Sequence, residues 1–181
     1  LYDGSKYNNT KGSEKNNFST NYRFDDKLNL LYTHNEANSA TQYRQFTATS
    51  DKALNDRKYE TKKDYLQLQY SDDNVKGTAY YNAGQIDYTN YDVTKSTFAY
   101  NLEKNRIYGL DVQKTWMVGD GKVLFGGSYQ HEYYLPNDYA SATTDYDRNN
   151  YALYGQYEKP LDDKTTVIIG ARETWTGSTT G

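Results

Sequence analysis

The 181-residue chain has no cysteine, only two prolines and one methionine, and no excess of basic residues. Without cysteine there are no disulfides, no thiol catalysis and no thiolate metal site, which suits an exported chain as well as any other. The 21 basic and 24 acidic side chains leave a net charge of −3 and are mixed along the sequence. That distribution gives no electrostatic footprint for nucleic acid. No stretch approaches the roughly 18 consecutive apolar residues of a membrane-spanning helix, and Leu1 does not open a signal peptide.

Leu, Ile, Val and Phe are scarce and the mean hydropathy is −1.08. By composition alone such a chain tends to disorder. What is present points elsewhere: 22 tyrosines fall into runs that alternate apolar and polar residues, the pattern of half-buried β-strands. Eight runs follow this period, at about 14–25, 27–36, 58–71, 74–84, 105–118, 122–134, 149–159 and 164–175. Four of the connections are short and rich in turn formers: FDDKL at 24–28, SDDN at 71–74, VGDGK at 118–122 and PLDDK at 160–164. The other three, 37–57, 85–104 and 135–148, are long and polar and read as loops.

Regular alternation of short and long connections is expected of an up-and-down sheet, with tight turns at one end and long loops at the other. A Greek-key sandwich would mix its connection lengths. Within each run one parity is apolar. Phe18, Tyr22 and Phe24 share a side in the first, Leu28, Leu30 and Tyr32 in the second, and Leu66, Leu68 and Tyr70 in the third. Val75, Gly77, Ala79 and Tyr81 follow, then Tyr108, Leu110, Val112 and Trp116, and Val123, Phe125, Tyr129 and Tyr133. The last hairpin presents Tyr151, Leu153 and Tyr157, then Val167, Ile169, Ala171 and Trp175. Large rings gather toward the two ends of the runs and small or aliphatic residues lie between them. That is the arrangement of two aromatic girdles around an apolar band, and it predicts an all-β, antiparallel, up-and-down transmembrane barrel with about eight strands in this chain.

The succession YGLDVQKTW, turn, KVLFGGSYQHEYY, loop, NNYALYGQYEKPLDDKTTVIIGARETW, residues 108–175, resembles the barrel of TonB-dependent outer-membrane receptors. The elements that carry the likeness are Gly126, Gly127 and Tyr129, then 150–156, then Gly170, Ala171 and Arg172. The resemblance implies a barrel of about 22 strands with a plugged lumen. On that basis residues 1–181 are part of one barrel domain, with the plug and the remaining strands outside this chain. It further implies residence in a bacterial outer membrane and uptake of a scarce metal chelate such as a siderophore, haem or cobalamin. The partners it implies are outer-membrane lipid, the chelate, and a TonB-type periplasmic protein acting through the plug.

No enzyme motif is present: GDG at 119–121 lacks the Lys-Ser/Thr pair and helix of a phosphate loop. The acid pairs Asp25–Asp26, Asp72–Asp73 and Asp162–Asp163 lie in tight turns, where Asp serves the backbone. His34 and His131 share the apolar parity and are expected at the membrane interface rather than on a metal, and no cofactor is implied. Polar-parity Arg23, Asp111, Gln130, Glu132 and Arg172 read as a solvated or ion-paired wall. Ligand recognition is expected in the long loops, where Tyr88, Tyr91, Tyr100, Tyr134 and Tyr139 offer rings for a planar cargo. The rival reading is a secreted or surface-displayed β-rich binding or adhesion module. A passive porin ranks third.

Overall fold

A computed structural model describes residues 13–47, 50–92, 97–136 and 145–180. They form one eight-stranded antiparallel sheet whose spatial order is the chain order, so every neighbour in sequence is a neighbour in the sheet. The strands are β1 (Glu14–Arg23), β2 (Leu28–Thr47), β3 (Ser50–Ser71), β4 (Val75–Asp92), β5 (Thr97–Val118), β6 (Gly121–Leu135), β7 (Tyr146–Pro160) and β8 (Thr166–Thr180). The sheet is open, with β1 and β8 as its edges.

The short connections form as the turn residues predict. Asp25 Oδ1 accepts the backbone N–H of Lys27 and of Leu28, both at 2.8 Å. Asp72 Oδ1 accepts those of Asn74 at 2.8 Å and Val75 at 2.6 Å, and Asp162 Oδ1 that of Lys164 at 2.8 Å. In each acid pair the first residue ties the turn. Those N–H groups hold all three carboxyls below the ordinary carboxylate range, Asp72 at about 2. Gly119 takes the remaining turn through the left-handed region, φ 63°, which a side chain would oppose.

Two of the expected long loops are largely strand. β2 continues to Thr47 and β3 begins at Ser50, while β4 continues to Asp92 and β5 begins at Thr97. The alternation stops near residues 36 and 84 because both parities become polar there. The backbone ladder does not need an apolar face, and it runs on from Glu36↔Lys62 to Thr47↔Ser50 and from Gln85↔Lys104 to Asp92↔Thr97. A register shift between Gln42 and Tyr43 interrupts the first of these extensions.

The register confirms the parity assignment across the sheet. One pairing line runs Tyr32, Leu66, Tyr81, Tyr108, His131, and the next runs Tyr22, Leu30, Leu68, Ala79, Leu110, Tyr129, Tyr151, Trp175. Tyr22 sits beside the first turn, whereas Trp175 lies far along β8 from the fourth. Successive turns therefore step down the register, as they do when strands tilt against a barrel axis. Lys114 and Glu173 share the apolar parity, opposite Phe125 and Leu153.

No second layer of described residues covers the apolar face. Among the described residues the only buried apolar side chain is Ala152, at 3% exposure, while Leu110 is 48% exposed, Phe125 52% and Ile169 67%.

Candidate functional site

The polar face carries a network in which side chains reach over a neighbouring strand to the one beyond. Tyr154 on β7 donates its hydroxyl to Asp111 Oδ1 on β5 at 2.8 Å, crossing β6 at Gly126. Tyr80 on β4 donates to Gln130 Oε1 on β6 at 2.6 Å, crossing β5 at Gly109. In both crossings the ring lies where a Cβ would be: one built on Gly109 would come within 2.7 Å of Tyr80 Cζ and 2.6 Å of the Tyr129 carbonyl oxygen. Glycine is required there for close approach rather than for a turn, as when an aromatic ring covers a strand glycine.

The network continues toward β8. Gln130 Nε2 donates to Glu132, which also accepts from Arg148 Nε at 3.0 Å and Asn150 Nδ2 at 3.1 Å, and Asn150 Oδ1 accepts from Thr176 Oγ1 at 2.9 Å. Arg172 lies over the Tyr154 ring, 5.3 Å from its centroid, and donates to Ser128 Oγ at 3.2 Å. Asp111, Gln130, Glu132 and Arg172, expected on a solvated or ion-paired wall, are thus tied into a hydrogen-bonded surface spanning β4 to β8. Such bonds cross-brace strands that the backbone ladder joins only pairwise.

Besides Lys114 and Glu173, the apolar face carries a polar margin at the end away from the tight turns. His34 Nδ1 sits 2.8 Å from Asp64 Oδ1, which also accepts from the Tyr32 hydroxyl at 2.9 Å. His131 Nε2 is 3.2 Å from Asp147 Oδ1, its Nδ1 is 3.0 Å from Asn149 Oδ1, and its ring stacks on Tyr108 at 4.8 Å. Both histidines take the apolar parity, beside the aromatic rows.

The tyrosines expected in loops are placed differently. Tyr88 is on β4, Tyr100 on β5 and Tyr134 on β6, and Tyr91 pairs along the backbone with Phe98. The strands run into the regions read as loops, for the reason given above. Tyr88 and Tyr134 take the polar parity, and Tyr88 stacks on Tyr59 at 5.5 Å with the rings 14° apart. Tyr100 takes the opposite parity and is 84% exposed. The set is therefore split between two faces, while Tyr139 and the side chain of Tyr91 lie outside the described residues. The sequence reading passed over Tyr154 and the role of Tyr80. Their signal is a tyrosine of polar parity directly opposite a glycine of polar parity on the next strand, and it becomes visible only once register is known.

No family model and no curated protein matches the chain. Among solved structures the likeness is to an outer-membrane transporter. The crystal structure of the outer membrane transporter YddB from Escherichia coli superposes with a TM-score of 0.62 over 92% of this chain, at 11% identity. This chain spans 26% of that protein. At that identity the likeness is one of fold.

Proposed function

We propose that this chain forms part of the wall of an outer-membrane transporter, with its apolar face against lipid and its polar face toward the lumen. One observation carries the reading: a single sheet leaves Leu66, Leu68, Leu110, Val112, Phe125, Leu153 and Ile169 uncovered, between rows of Tyr and Trp. Each is 40–67% exposed and in water forgoes roughly half of the about 1.5–3 kcal/mol that full burial is worth. Together that is about 5–10 kcal/mol, comparable with the roughly 5–15 kcal/mol by which a domain is stable. A hydrocarbon layer between two aromatic rows removes that deficit without a second protein layer.

The finer reading is TonB-dependent uptake of a metal chelate. It is supported by the residue pattern at 108–175 and by the likeness to a transporter fold. In this scheme the braced polar face from Tyr80 to Thr176 is a rigid wall against which a plug moves. The strands beyond the upper aromatic row, with Tyr59 stacked on Tyr88, stand where an incoming cargo is first met.

Fractionation tests the first level and uptake the second. The protein is expected in outer membranes and to need detergent for extraction. Recovery as a water-soluble protein overturns the reading in favour of a surface-displayed binding module. Deleting the gene is expected to abolish uptake of one chelate, and disabling the energy-coupling protein to do the same. Unchanged uptake across a panel of siderophores, haem and cobalamin removes the chelate assignment and leaves the wall intact.

A further inference from the structure

We infer that the outward face of β5 carries a docking site for the phosphate of an outer-leaflet lipid headgroup, built by Lys104 and Arg106 above the tyrosine row. The inference rests on the membrane reading above. Lys104, Arg106, Tyr108, Leu110, Val112, Lys114 and Trp116 all take the outward parity, so β5 reads cation, cation, apolar band, cation, ring along one face.

The spacing fits a bilayer. Arg106 to Lys114 is about 27 Å along an extended strand. For a strand tilted by roughly 40° that is about 20 Å along the membrane normal, close to the roughly 25 Å apolar band of such barrels. Each of these two cations rests on a girdle ring, Arg106 Cζ 5.8 Å from the Tyr133 centroid and Lys114 Nζ 5.3 Å from that of Trp116. Cations so placed keep their stems on apolar surface and their charges at headgroup level.

Charge bookkeeping on the same face singles out the upper pair. Lys62 is held by Glu60 at 2.6 Å and Glu36 at 3.7 Å. Asp64 is engaged by His34, Asp147 by His131, and Asp87, diagonal to Lys104, accepts from Gln85 Nε2 at 2.6 Å. Among the described residues neither Lys104 nor Arg106 has a carboxylate partner. Their cross-strand neighbours are Gln85 and Leu135 for Lys104, and Ala83 and Tyr133 for Arg106, all uncharged. Two cations about 7 Å apart on one strand face, with no carboxylate partner among the described residues and no acid directly opposite, fit one phosphate or two adjacent ones. The tight turns place the opposite end of the strands at the periplasm, so the pair faces the outer leaflet.

Detergent-extracted protein, shown first to come from the outer membrane, is titrated by native mass spectrometry with phosphorylated lipid A and with its dephosphorylated form. Inorganic phosphate serves as competitor. A cation beside an anionic headgroup is worth about fivefold in affinity, so K104Q/R106Q is expected to lose about thirtyfold for the phosphorylated lipid and little for the dephosphorylated one. K62Q, whose charge is already matched, is expected to stay within about twofold, and unchanged tryptophan emission shows that both variants are folded. Equal binding of the two lipids, equal loss in K62Q, or full displacement by millimolar inorganic phosphate overturns the site. Failure to find the protein in membranes overturns the reading beneath it instead.

Discussion

The two faces of this sheet share one backbone ladder and behave as different materials. On the apolar face side chains touch mainly those of the adjacent strand, as in Tyr129 over its partner Tyr151 at 5.1 Å and Phe18 diagonal to Tyr32 at 6.1 Å. On the polar face Tyr80, Tyr154 and Arg172 each reach past one strand to the next but one. The difference teaches where order comes from in each case. On the reading proposed above, a face against lipid needs only hydrophobicity and borders, whereas a face toward a lumen must satisfy its own hydrogen bonds and does so by cross-bracing.

The comparison breaks most sharply with a charge. Leu110→Arg, in mid-band on the apolar face, is expected to cost about 2–4 kcal/mol in bilayer folding titrations with urea, against less than about 1 kcal/mol for Gln113→Arg on the polar face. Equal losses would remove the assignment of faces. Adjacent glycines give the next test. Gly126→Val drives a side chain into the Tyr154 ring and is expected to cost about 1–3 kcal/mol. At Gly127, on the apolar face, an added Cβ meets the movable Leu153 Cδ2 at 3.1 Å and the Ala152 carbonyl oxygen at 3.3 Å, not a ring, and Gly127→Val should cost less in the same titration.

A single hydroxyl separates the faces more finely. Tyr154→Phe is expected to lose about 0.5–1.5 kcal/mol with the bond to Asp111. Tyr151→Phe, whose hydroxyl has no hydrogen bond among the described residues, is expected to stay within about 0.5 kcal/mol. The smallest effect lies at the turns, outside both faces. Asp72 is held at about 2, below its ordinary 3.8, by the Val75 and Asn74 N–H groups and the Tyr70 hydroxyl. Its contribution is present above the ordinary value and fades as pH falls through about 2. Circular dichroism between pH 4 and 2 should therefore show a steeper loss for the native chain than for Asp72→Asn.

Period-two alternation was enough to place all eight strands and the short turns, because one half-covered face leaves its mark at every second residue. It failed at residues 37–57 and 85–104, where both parities are polar and the ladder continues unseen. That failure moved Tyr88, Tyr91 and Tyr100 out of loops and put Tyr88 and Tyr100 on opposite sides. The parity of Arg172, Glu132 and Asp111 was legible; their partners were not, since Ser128, Arg148 and Tyr154 lie on other strands at offsets that only register supplies.

What this sequence determined by itself is which residues are wet and which are not, and where the chain turns back, since both follow from local periodicity and from Asp and Gly chemistry. Tertiary structure alone decided which tyrosine lies across which glycine, and that the residues directly opposite Lys104 and Arg106 on β5 are uncharged. Those facts depend on how far each strand is shifted against its neighbours, and no single strand carries that shift in its own residues.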